Sequence, residues 1–271
     1  MELWAAGFNA WAQFHFDTPV PVDPVDLPNF TSILEDDSIE VLALSESAIA
    51  VKTSKGLKIS GNPSEYMTHF ASLCAERKEE GTWPIATAGN GKVADITSGF
   101  IKQYDLLEYD WFPSYLEKDG KVFEELDGTV TQIVANRTTF TALTSTGNVY
   151  TWGDEMYKER LGREVSSSSP ASQPGIVEDL SNLPDKVVRI SSGGAMTAAL
   201  TSGNDVYFWG VGMSGPLGNL WSASPQPLDL DEQDILDVAV GNEHILILTT
   251  EHKVFAIGAN GSGSGLRSLY L

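Results

Sequence analysis

Three stretches of the chain repeat one pattern of apolar and polar positions. They are VTQIVANRTTFTALTSTGNVYTWG from Val130, VVRISSGGAMTAALTSGNDVYFWG from Val187 and ILDVAVGNEHILILTTEHKVFAIG from Ile235. All have the same length, and they end in Gly153, Gly210 and Gly258. Each contains three short apolar runs, such as Val130-Ile133-Ala135, Phe140-Ala142-Leu143 and Val149-Tyr150-Trp152 in the first. Runs this short, β-branched or aromatic and often alternating, predict strands. The polar pieces TSTGN, TSGND and TTEHK between the second and third runs predict tight hairpin turns, which leave no room for a helix.

The terminal glycines lie 57 and 48 residues apart, a spacing expected of a repeat that accepts insertions in one kind of loop. A weaker copy, IEVLALSESAIAVKTSKGLKISGN from Ile39, places Gly61 at the same position. Between Gly61 and Gly153 lies room for one more, degraded copy. There VADITSGFIKQYDLL from Val93 aligns with the opening ILDVAVGNEHILILT from Ile235, setting Gly99 against Gly241. At the N-terminus LWAAGFN matches only the last strand and turn of a unit, with Gly7 in the glycine position. A blade of this kind cannot bury both faces alone, so the copies are expected to stack around a ring. Pairing of the N-terminal strand with C-terminal strands would close that ring and remove its sheet edges.

Two segments break the pattern. Residues 17–38 are proline-rich and then acidic, and read as a long surface loop. Within the degenerate region 63–128, residues 64–80 predict a short amphipathic helix. Ser64 is its cap, and Met67, Phe70, Ala71 and Cys74 fall near one face. Its expected role is to plug a gap or cover a blade edge.

The polar turn followed by VYTWGD or VYFWGV, preceded by small residues as in SSGGAMTAALTS and AVGNEHILILTT, resembles the regulator of chromosome condensation repeat family. The family pattern falls on Gly193, Val206, Tyr207, Trp209 and Gly210 in one unit and on Gly241, His244, Val254, Phe255 and Gly258 in another. The resemblance is strong over 129–260, moderate over 1–12 and 39–62, and poor over 63–128. Histidine is retained only at His244, with Thr139 and Thr197 in the comparable places, and Ile257 stands where tryptophan is usual. The resemblance implies an all-β propeller of about six blades, five to seven, with residues 1–271 as a single propeller domain. The clearest repeat cores are 129–154, 186–211 and 234–260. Trp152 and Trp209 are expected to pack against neighbouring sheets, and the repeated glycines, Gly7 and Gly61 among them, to serve close approach or positive φ.

Composition fits a folded chain, with 42% hydrophobic and 20% charged residues. Charge changes the picture more. Against 37 acidic residues stand 17 basic ones, a formal net charge of -20. Such a field repels phosphate backbones, so direct nucleic-acid binding is not expected and a protein partner with a basic surface is favoured. The excess is larger in residues 1–128, with 22 acids and 9 bases, than in the remainder. The single Cys74 favours a reducing compartment. No apolar window reaches the length of a membrane span, and the opening MELWAAGFNAW is not a secretion signal, so the expected location is the cytoplasm, with the nucleus as the alternative.

No pattern predicts catalysis, a metal or a cofactor. Gly210, Gly212 and Gly215 have phosphate-loop spacing but lack a parallel strand, a helix and a following lysine, so they read as turns. His15, His69, His244 and His252 form no short ligand cluster, and His244 is expected to be hydrogen-bonded within its blade. Ser166–Ser169 is a loop without the context of an activated nucleophile.

The leading expectation is a noncatalytic protein-binding scaffold whose specificity resides in the insertions 17–38, 63–92, 100–128 and 155–185. Candidate partner-binding residues are Asp36, Asp37, Tyr109, Asp110, Trp111, Glu124, Glu125, Tyr157 and Trp221. In these, aromatics would anchor a contact and acids would steer a basic partner. The resemblance also implies two alternatives: guanine nucleotide exchange on a small GTPase, and a regulatory subunit of an RNA- or protein-modifying complex.

Overall fold

The computed structural model describes residues 1–17, 19–45, 47–76, 85–97, 99–105, 120–124, 126–210, 214–215, 218–219, 222–228, 230, 233–242 and 244–258. These fall into two compact units, 1–76 and 85–258.

In the first unit, β1 (Glu2–Gly7) pairs antiparallel with β2 (Leu27–Glu35) through two register shifts. The stretch 17–38 therefore contains a nine-residue strand and is not a loop throughout. Its prolines at 19, 21, 24 and 28 end where the strand begins, leaving NFTSILE free to donate its N–H groups. The fourth repeat copy forms the first blade, β3 (Ile39–Leu44), β4 (Ala48–Thr53) and β5 (Gly56–Gly61), in sequential order. Leu34, Ile49 and Val51 build a core with Leu3, Phe14 and Phe16. Helix α1 (Glu65–Glu76) starts where the Ser64 hydroxyl accepts the Met67 N–H at 3.1 Å. It buries Met67 and Ala71 and lies across all three strands, so it covers a face of the blade rather than an edge.

The second unit contains four blades. The second blade is β6 (Ile85–Thr87), β7 (Lys92–Thr97), β8 (Phe100–Asp105) and β9 (Lys121–Phe123). The third comprises β10 (Val130–Ala135), β11 (Thr139–Thr144), β12 (Val149–Gly153) and β13 (Gly175–Ile176). The fourth comprises β14 (Val187–Gly193), β15 (Met196–Thr201), β16 (Val206–Gly210) and β19 (Ser222–Pro227); a small hairpin of β17 (Ser214–Gly215) and β18 (Gly218–Asn219) precedes β19. The fifth is β20 (Ile235–Val240), β21 (His244–Thr249) and β22 (Val254–Gly258). Gly215 lies in β17, paired with Gly218.

The degenerate copy is shifted by one strand from the sequence alignment. β6 and β7 pack on β10 as β10 and β11 pack on β14, which makes β6 the first strand and Val93–Thr97 the second. The turn after Thr97 is then the hairpin turn, and Gly99, at φ +85°, belongs with the turn glycine Gly147, at φ +90°, and not with Gly241. The opening strand IAT is too short to carry a periodic signal.

Successive blades bury one another's faces. Ala86, Ile101 and Phe123 join Ile133, Phe140 and Trp152; Leu143, Val149 and Leu180 join Ile190, Ala199 and Trp209; Ala198, Leu200 and Phe208 join Val238, Ile247 and Ile257. Both terminal tryptophans, Trp152 and Trp209, face the preceding blade. Trp152 stacks on Phe140 at 5.3 Å and donates to Gln103 at 2.6 Å. The repeated glycine has one cause in three blades: a Cβ on Gly61, Gly153 or Gly210 would strike the carbonyl of Ser47, Thr138 or Ala195 in the turn before the second strand.

Candidate protein-docking surface

The largest described insertion follows β12. Asp154 begins it by accepting the Met156 N–H at 2.9 Å, which caps a 3-10 turn over Glu155–Arg160. After the turn the chain is fixed to the blades at two points. The Thr151 hydroxyl donates to the Leu161 carbonyl at 2.6 Å, and Gly162, at φ +68°, lies so close to the Trp209 ring that a side chain there would overlap it. The segment returns through β13 and the short helix α2 (Glu178–Ser181).

Arg163 organises the segment from inside. Its Nε donates to the Thr151 carbonyl, and its two Nη atoms donate to the carbonyls of Glu164, Ser169, Pro170 and Gln173 and to the Ser169 hydroxyl, at 3.0 to 3.1 Å. A loop without a ladder of its own has many unpaired carbonyls, and one guanidinium with five fixed N–H groups satisfies several of them. Burial pushes the Arg163 pKa down, with Glu155 opposing that shift. Among the described residues no carboxylate forms an ion pair with it.

Between this segment and β19 lies a groove of about 580 Å³. Its polar wall consists of Glu164, Ser166, Ser168, Glu178, Asp179 and Ser224. Three carboxylates line it against the single guanidinium of Arg163, whose N–H groups are spent on loop carbonyls and the Ser169 hydroxyl, so the groove is acidic. The serines donate locally: Ser166 and Ser168 hydroxyls lie 3.0 Å apart, and the loop closes through the Ser166 and Ser169 backbones. Among the described residues no group of three or more histidine, cysteine, aspartate and glutamate side chains is placed to hold a metal ion.

The residues singled out from sequence are dispersed. Asp36 is buried. Its carboxylate accepts the Ser54 hydroxyl, the Ser54 N–H at 2.9 Å and the Ser38 N–H at 3.4 Å, with Lys55 at 3.9 Å. The Ser54 hydroxyl is the main reason its pKa falls to about 2. It is a turn anchor and not a free surface acid, whereas Asp37 and Glu124 are exposed. Tyr157 is half-buried in the insertion, with the Arg160 guanidinium 4.2 Å over its ring. Tyr109, Asp110, Trp111, Glu125 and Trp221 lie outside the described residues. His244 is exposed, and its ring covers Gly241. Strand register sets His244 opposite Gly258 just as Met196 lies opposite Gly210, so Met196 and not Thr197 takes the histidine position in the fourth blade. Sequence reading did not single out Arg163, Glu164, Glu178 or Asp179. The one available signal was an arginine, in LGRE, just before a serine- and proline-rich stretch.

Stacked antiparallel sheets of one repeated design, with an ordered insertion grafted between third and fourth strands, define a β-propeller repeat protein. Residues 235–264 match the model of the Regulator of chromosome condensation (RCC1) repeat. Over 183 residues the chain is 31% identical to the Regulator of chromosome condensation of Mus musculus and 30% to that of Homo sapiens; the match covers 64% of this chain and 40% of each relative. The chain thus spans less than half the length of these relatives. In structure it is similar to human WBSCR16, with a TM-score of 0.55, 19% identity and coverage of 98% and 74% of the two chains. It is similar also to yeast RCC1 (Prp20) bound to Kap60, with a TM-score of 0.53, 17% identity and coverage of 99% and 68%. The protein is a divergent member of the regulator of chromosome condensation repeat family. Among the described residues no helix is long and apolar enough to cross a membrane.

Proposed function

We propose that this protein is a noncatalytic protein-binding scaffold and that the acidic groove beside β19 takes a basic segment of its partner. The observation that carries this reading is the way the 155–185 insertion is built. Arg163 spends its donors on the loop that carries Glu164, and Glu178 and Asp179 of α2 line the same preformed cleft. A preorganised surface loses little entropy on binding, and the net charge of -20 raises the encounter rate with a cationic partner.

The test is affinity capture with the full chain, followed by partner identification and comparison with an E164Q/E178Q/D179N variant. A basic partner retained by the native chain and released about tenfold faster by the variant supports the groove. Equal retention by both moves the binding surface elsewhere. A second reading is nucleotide exchange on a small GTPase, favoured by the relatives named regulator of chromosome condensation. A yeast homologue in structure, Prp20p, is described by its binding to Gsp1p and histones. Accelerated nucleotide release from a captured GTPase would replace the passive scaffold with that reading.

A further inference from the structure

The turns between first and second strands form a row in the second unit. The Gly89 N–H donates to the Asn136 carbonyl at 3.2 Å, and the Arg137 N–H donates to the Gly194 carbonyl at 3.1 Å. The Arg137 side chain reaches one blade further, donating from Nη2 to the Asn242 Oδ1 at 2.9 Å. On the other flank of the same turn, Arg160 donates from Nη1 to the Thr138 hydroxyl at 3.1 Å while lying over Tyr157. Thr138 is thus the chain neighbour of one arginine and the hydrogen-bond partner of another. Neither forms an ion pair among the described residues, although acids outnumber bases more than twofold in the chain.

This turn also leaves buried polar atoms without partners. Asn136 is 5% exposed, and its amide oxygen already accepts the Thr138 and Thr139 N–H groups, which assigns the other atom as nitrogen. That Nδ2 is buried without a partner, as are Arg160 Nε and the Thr139 hydroxyl. Buried unpartnered polar atoms are uncommon in folded proteins, and three of them together around one turn call for a cause. One bond to Asn242 and one to Thr138 leave most N–H groups of the two side chains uncommitted.

We propose that Arg137 and Arg160 form an oxyanion-binding site for an acidic or phosphorylated peptide segment of a protein partner. A carboxylate and a phosphoryl group offer the same paired oxygens, which a guanidinium meets with two parallel N–H bonds. The stack on Tyr157 and the tie to Asn242 hold both side chains ready and lower the entropy lost on binding. The repulsive field of the whole chain does not forbid this, since it is screened beyond about 8–10 Å at physiological salt while the site acts at contact distance. The site is separate from the acidic groove and stands whether or not that groove is used.

The experiment follows the arginine Nε–Hε resonances of the full, isotopically labelled chain by NMR. The probes are a hexaglutamate peptide, the same peptide with a central phosphoserine, inorganic phosphate and a hexalysine peptide. Expected are saturable shifts of Arg137 and Arg160 with the two acidic peptides. R137Q, which keeps a donor for Asn242, and R160K, which keeps charge but loses the fork, should each weaken binding about tenfold with the backbone spectrum unchanged. Absence of shifts at these two arginines overturns the proposal. So does unaltered affinity in R137Q, an equal response to hexalysine, or inorganic phosphate binding as tightly as the phosphopeptide, which would make the site one for a free small anion.

Discussion

A single side chain can have opposite roles at neighbouring positions, as Asp36 and Asp37 show. Both read as loop acids, but Asp36 turns inward onto Ser54 and Ser38 while Asp37 faces solvent. The Asp36 pKa is depressed to about 2, so its stabilisation is present above the ordinary carboxylate pKa near 4 and is lost as pH falls from about 4 through about 2. D36N should lower the melting temperature at pH 7 and flatten the acid limb of stability in that window, measured by thermal unfolding across pH. The repeat threonines are a second case. Thr53, Thr144, Thr201 and Thr249 open the hairpin turns and are all buried, with hydroxyls bonded to turn backbone. Their recurrence before each turn was legible as polarity; their burial was not, because a hydroxyl can be buried once the turn supplies its partner. Gly210 combines φ +106° with a close carbonyl, so G210A should cost about 2–3 kcal/mol by chemical denaturation.

Strands of the clear copies lie over their apolar runs, reaching up to three residues beyond them as β14 does to Gly193, and the register follows. Thr139 through Leu143 pair with Gly153 through Val149, and His244 through Leu248 pair with Gly258 through Val254. The departure at Ile257 has its explanation across the blade interface. Between third and fourth blades a small Thr151 faces the side on which Trp209 packs; between fourth and fifth a large Phe208 shares its cluster with Ile257. The bulky ring thus comes from the later blade at one interface and from the earlier blade at the next, and dense packing accommodates one such ring rather than two. F208T alone should cost about 2–4 kcal/mol and I257W alone about 1–3 kcal/mol, while the double variant should recover at least about 1 kcal/mol of their sum. Additive losses in a denaturation double-mutant cycle would refute the exchange. The degenerate blade shows the limit of pattern reading, since a three-residue strand, Ile85–Thr87, carries no period and only its packing on β10 identifies it.

For the molecule as a whole, the charge predicts behaviour more securely than the fold does. With acids in such excess, association with a basic partner should slow as salt rises from about 0.05 to 0.3 M, with dissociation changing less; stopped-flow mixing of the captured pair checks this. A salt-independent on-rate would remove electrostatic steering from the account. The sequence by itself determined the sheets of the clear copies: repeated alternation, turn chemistry and a glycine at a fixed place specify local strands and hairpins, because those depend on residues a few positions apart. Tertiary structure decided everything that joins distant residues. Gln132 pairs its amide with both backbone groups of Ile190, Ser191 accepts from Val240, Arg163 gathers the carbonyls of a loop, and Arg137 bridges to Asn242. Polar side chains at these places carry no period, and their partners are chosen only when stacked blades exclude water and leave each buried donor to find the nearest acceptor.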